Sequence, residues 1–203
     1  MHPAMKSAFL MAVLPVFFLM APLAQASPGA PVYQGTGCPP DTAETVWSEE
    51  NATLTVLFSR FVVEAGGATG SGAMRGACDL ALPIDVPAGY QLGVYKIDYR
   101  GFVSLPKKGA ADLSVDLSVG SGKIAPFHRH LPWTQSGEFT LTDTIGAGQM
   151  KWTGCGERVT LQLHSELSVQ SNAQNEQALA SLDSADGTRK GAIRYRVQWR
   201  KCQ

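Results

Sequence analysis

The 203-residue chain carries 17 basic and 17 acidic side chains, so it has no formal net charge at neutral pH. That balance argues against a dedicated nucleic-acid binder, which needs a positive field to neutralise phosphates. Hydrophobic residues make up 44% of the chain, enough to bury the core of one domain.

The first residues read as an address. Lys6 supplies a positive start, Ala8 to Met20 is an apolar run, and Ala24-Gln25-Ala26 is a small-x-small cleavage site. The sequence therefore predicts a signal peptide over 1–26 and one secreted domain over 27–203. The apolar run is shorter than the roughly 20 residues a spanning helix needs, and Pro15 interrupts it. No later segment is as apolar, and the Arg-Lys-Cys-Gln end lacks a hydrophobic anchor tail. The mature protein is expected to be soluble, exported, monomeric and free of a transmembrane anchor.

Residues 27–40 are rich in Gly and Pro and read as an extended arm ending at Cys38. From there the hydrophobic period is two. Leu54, Val56 and Phe58 alternate with threonines and Leu57, and a Gly-rich loop follows over 66–76. Leu80 to Ile84 reads as a strand before the turn signal Pro87-Ala88-Gly89. Tyr90 to Leu105 is a long run of strand formers, with Gly93 and Gly101 expected at bulges or bends. Leu113, Val115, Leu117 and Val119 alternate with Ser114, Asp116 and Ser118, which gives one dry face and one wet one. Phe139 to Ile145 follows. Val159, Leu161 and Leu163 alternate with Thr160, Gln162 and His164, and Ile193 to Trp199 alternate with Arg194, Arg196, Gln198 and Arg200. Only Asn175 to Ser181 reads as a short helix. About eight strands spaced by Gly, Pro and Asp turns predict an all-β, disulfide-stapled β-sandwich of Greek-key or jelly-roll type, with a closed barrel as the alternative.

The four cysteines are Cys38, Cys78, Cys155 and Cys202, an even count that in an exported chain reads as two disulfides. Three pairings are open, of which Cys38–Cys78 with Cys155–Cys202 is favoured. Their spacing fits neither a zinc site nor a redox C-x-x-C. Residues 189–203 hold six basic side chains and no acid. That last strand is expected to dock beside acidic neighbours, the alternative being a site for an anionic polymer or a membrane surface.

Chemistry-bearing residues are sparse. His128 and His130 lie two apart and would share a side if in a strand, so they could share a metal with His164 or Asp143. The plainer reading is a polar surface loop between Pro126 and Pro132. No G-x-S-x-G elbow is present, and Gly120-Ser121-Gly122-Lys123 departs from a phosphate loop. Asp98 and Arg100 share a strand face and are expected to pair. Trp199 is expected in the core and Trp152 against the Cys155 disulfide. Trp133, in the Pro-rich segment with the two histidines, is the best exposed aromatic for a ligand. Asn51-Ala52-Thr53 is a glycosylation sequon, relevant only in a host that glycosylates exported chains.

Gly37-Cys38-Pro39, the Leu54 to Phe58 strand, Val86-Pro87-Ala88-Gly89-Tyr90-Gln91, Tyr99-Arg100-Gly101-Phe102, Trp152-x-x-Cys155-Gly156 and the closing Gln198-Trp199-Arg200-Lys201-Cys202 occur in that order. Together they resemble the DUF4360 family of small secreted proteins, over nearly all of the mature chain. The resemblance implies an exported, disulfide-bonded protein and supplies no catalytic residue. The expected function is a non-enzymatic surface or envelope binding module without a cofactor. Its ligand would be a cell-wall polysaccharide or a surface protein, met through Trp133, His128 and His130. An extracellular hydrolase with a carboxylate or His-metal site, or a structural or protease-inhibitory protein, is the alternative.

Overall fold

The computed structural model describes residues 27–48, 50–182 and 191–203; the expected signal peptide falls outside these. In chain order the first strands are β1 (Ser27–Pro28), β2 (Val32–Gln34), β3 (Ala43–Trp47), β4 (Thr53–Phe58), β5 (Val62–Ala65), β6 (Ala73–Asp85) and β7 (Tyr90–Ser104). They are followed by β8 (Ala110–Val119), β9 (Gly122–Lys123), β10 (Phe127–Pro132), β11 (Gly137–Thr144), β12 (Arg158–Gln170), β13 (Ala178–Ser181) and β14 (Gly191–Lys201).

These strands form two antiparallel seven-stranded sheets around one core, the expected sandwich. In the first sheet β6, β12 and β8 lie side by side, with β1 and β2 on the outer edge of β6 and with β9 and β10 on that of β8. In the second sheet the order is β3-β4-β14-β7-β13-β5, and β11 also pairs with β7. Since β11 and β13 both pair with Phe102 and Val103, they take opposite edges of β7. Thus β13 continues the line of β14, and β5 that of β4. The strands outnumber the eight expected because several are two- to four-residue edge pieces, too short to show a period.

The period of two decides which way each strand faces. Leu80, Leu82 and Ile84 of β6, Leu113 to Val119 of β8, and Leu161, Leu163 and Leu167 of β12 are buried on one side. Leu54, Val56 and Phe58 of β4, with Ile193, Tyr195 and Val197 of β14, close the core from the other. In β7 the phase slips: Ile97 sits opposite Tyr195 but Val94 opposite Val197, so the extra residue, Tyr95, bulges out and stays exposed.

The bulge is therefore at Tyr95, not at Gly93 or Gly101. Those glycines serve close approach. A Cβ on Gly93 would meet Trp152 at 3.1 Å, and one on Gly101 would lie 2.2 Å from the Ser181 carbonyl oxygen and 2.6 Å from the Phe139 ring. The helix expected over 175–181 is also corrected. Ala178–Ser181 is a strand between β5 and β7, because its alanines fit a crowded interior and so short a segment cannot nucleate a helix on its own.

Two disulfides join Cys38 to Cys78 and Cys155 to Cys202, with Cα separations of 5.3 and 6.0 Å. The first is buried and fixes the N-terminal arm to β6. The second ties the end of β14 to the loop before β12.

Candidate functional site

The outer face of the first sheet carries many polar side chains among a few small or apolar ones, and strand register sets which of them meet. Val32, Ala81, Gln162, Ser118 and Lys123 form one row across β2, β6, β12, β8 and β9. The next row is Gln34, Asp79, His164 and Asp116. Beyond it lie Ala77, Glu166, Ser114 and His128, and then Arg75, Ser168, Asp112 and His130.

The first two rows line a cleft of about 450 Å³, within the size range of small-ligand sites. Its polar lining is Gln34, Asp79, Asp116, Ser118, Lys123, Gln162 and His164. His164 Nδ1 lies 2.7 Å from Asp79 Oδ1, which fixes the imidazole orientation and leaves its other ring nitrogen for a ligand. Among the described residues no hydrogen bond or ion pair engages the Asp116 carboxylate, half-buried beside His164. The cleft lining thus offers hydrogen-bond donors and acceptors but no Trp, Tyr or Phe ring.

The three ligand candidates chosen from sequence lie elsewhere. Phe127–Pro132 is an edge strand rather than a loop, so His128 and His130 do point to one side, and they share the outer face with the cleft. His130 Nδ1 is 2.8 Å from Asp112 Oδ1. Neither histidine lines the cleft. Trp133, 40% exposed, sits past the end of β10 in a short 3-10 turn. Among the described residues no three His, Cys, Asp or Glu side chains converge as a metal site would need.

The second sheet presents a different face. Asp98 accepts hydrogen bonds from Arg196 Nε at 2.9 Å and Thr142 Oγ1 at 2.8 Å, with Lys96 at 3.5 Å. Burial pushes its carboxyl up, but these hydrogen bonds and cations outweigh that and hold it below the ordinary range. Arg100 pairs instead with Glu138, at 3.4 Å, so the expected Asp98–Arg100 pair is replaced by cross-strand partners. Arg200 lies 4.0 Å over the Trp152 ring and donates to Gln91. Trp152 thus packs on Gly93 and Arg200. Trp199 is partly buried against the core and donates to the Asn51 carbonyl.

At the edge where β10 meets β11, Arg129 points inward. It forms an ion pair with Asp143, which is 4% exposed, and its Nη2 lies 3.4 Å from the Thr142 carbonyl oxygen. In the core, burial raises the phenol pKa values of Tyr99 and Tyr195 far above the ordinary tyrosine range.

A family model, the domain of unknown function DUF4360, matches residues 30–202. The chain belongs to this family. A relative in Arthroderma benhamiae, described as an uncharacterized secreted protein, is 26% identical over 172 residues, 84% of this chain and 69% of the relative. That relative and the two disulfides agree in making this DUF4360 protein a secreted one. Among solved structures, the carbohydrate-binding module TmCBM61 in complex with β-1,4-galactotriose covers 85% of this chain and 88% of its own, at 10% identity and a TM-score of 0.26. A family 11 carbohydrate-binding module from Clostridium thermocellum, in complex with a mixed-linked tetrasaccharide, covers 84% and 86%, at 8% identity and a TM-score of 0.22. Superpositions that loose carry no inference about a ligand.

The polar faces of β8 and β12, one side of each alternating strand, supply Asp116, Ser118, Gln162 and His164. Parity along those two strands could have assembled half the site. Gln34 and Lys123 could not be found that way, since each sits on a strand of two or three residues.

Proposed function

We propose that this protein is a secreted, non-enzymatic binding module whose outer first-sheet face holds a carbohydrate. The observation that carries this reading is the cleft itself. Seven polar side chains from five strands converge on it, and His164 is already oriented by Asp79. A polyhydroxylated ligand matches such a lining, because each hydroxyl both donates and accepts. A protein partner would instead require apolar anchors at the centre of the contact, and the lining places its exposed apolar side chain, Val32, at the edge strand. His128 and His130, further along the same face, are outlying contacts in this reading, and Trp133 is a peripheral one.

The test is retention of the purified protein on a panel of insoluble cell-wall polysaccharides. Wild type should be held by at least one polymer. Gln162→Ala or His164→Ala should weaken that hold about fivefold, the loss of one net hydrogen bond of roughly 1 kcal/mol, with melting temperature unchanged. Failure of the wild type to bind any of the polymers would refute the reading.

A further inference from the structure

Resting on that reading, we infer that the cleft takes an internal stretch of a linear polysaccharide, laid across the strands rather than along them. The lining residues occupy only two adjacent rows but extend over five strands. Four inter-strand spacings make the trough about 19 Å long, and one step of two residues along a strand makes it about 7 Å wide. A compact ligand would leave most of that length empty. A single file of sugar rings fills it.

The trough is open at both ends. Among the described residues no further strand pairs beyond β2 or β9, and Val32 and Lys123 at the two ends are exposed, with Lys151 packed against Gly122 beside the second. Val32 is 63% exposed. A chain lying in the trough can therefore run past both sheet edges, which suits the middle of a polymer and not only its tip. With no Trp, Tyr or Phe ring in the lining, no large stacking platform can hold one sugar tightly. Affinity must be gathered from hydrogen bonds spread along the trough, and so must grow with the number of rings until the trough is full.

The experiment is titration calorimetry of the full mature protein with oligosaccharides of two, four and six rings, prepared from whichever polysaccharide retains it. Affinity should rise about tenfold or more from two rings to four and change little from four to six. Gln34→Ala and Lys123→Ala, at opposite ends, should weaken binding of the longer fragments and spare the shortest, while Gln162→Ala, in the middle, should weaken all. These positions face solvent, so unchanged thermal melting would separate a lost contact from a lost fold. Equal affinity for all three lengths would overturn the across-strand inference while leaving carbohydrate binding intact. So would retention of the polymer with no binding of any fragment. Retention by no polysaccharide removes both.

Discussion

Arg129 and Asp143 join the edge strands of opposite sheets, and the two ends of this pair sit in unequal surroundings. Asp143 is 4% exposed, and among the described residues its Oδ2 has no hydrogen-bond partner, whereas the Arg129 side chain is 40% exposed. Removing one partner of a fully buried pair costs about 3–5 kcal/mol, because the other charge is stranded. Arg129→Ala strands the Asp143 carboxylate in the interior and should cost about 3 kcal/mol, the lower end of that range. Asp143→Ala leaves a guanidinium that can turn to water and still reach the Thr142 carbonyl, so its cost should be about 1 kcal/mol, close to that of an exposed pair. For a domain of this size each kcal/mol moves the melting temperature by about 2–4 °C, so the two variants should lose roughly 6–12 °C and 2–4 °C. Urea titration and calorimetry read both values, and the doubly substituted Arg129→Met, Asp143→Leu chain should recover most of the larger loss. Equal losses, or a greater loss for Asp143→Ala, would refute the claim that the carboxylate is the dependent partner.

Gly101→Ala should destabilise by about 1–3 kcal/mol, as overpacking does, because its Cβ would run into Ser181 and Phe139; urea denaturation measures this, and a neutral effect would mean the sheet can open there. Timed alkylation in mild reductant should label Cys155 and Cys202 before Cys38 and Cys78, which are both 2% exposed. Asp98 has a lowered pKa when folded, so its contribution is present above the unfolded carboxylate range and lost as pH falls through the folded value. The stability gap between wild type and Asp98→Asn should therefore be largest near neutrality and close as pH falls below the ordinary carboxylate range. Tyr99 and Tyr195 have raised values, so the stability they lend is complete below the unfolded phenol pKa of about 10 and declines as pH climbs past it. Absorbance at phenolate wavelengths should show these two tyrosines ionising only together with unfolding.

Much of the fold is legible because long strands repeat their pattern. Leu113 to Val119 and Ile193 to Val197 announce both their type and their inner face, since one side of each must be dry. Tyr95 is harder: a single extra residue shifts the alternation of β7, and nothing local marks which residue has slipped. Ala178 to Ser181 misleads because alanine favours a helix in isolation, while the tertiary slot between β5 and β7 decides the outcome. The cleft was hidden for a similar reason. His164 meets Asp79 across 85 positions and Asp116 across 48, and only strand register brings such distant residues together.

Cys38 lies four residues after Gln34, and Cys78 immediately precedes Asp79. The buried sulfur bridge therefore clamps the amino-terminal arm beside the floor of the cleft, where the arm supplies Val32 and Gln34 as one end of the lining. Apart from the bridge, that arm is held by strand pairing with β6 and by the packing of Tyr33 and Gly37 against the core, so the disulfide is the covalent part of its anchorage. In the proposed binding reading, closing the Cys38–Cys78 bridge therefore secures one end of the binding face as well as strengthening the fold.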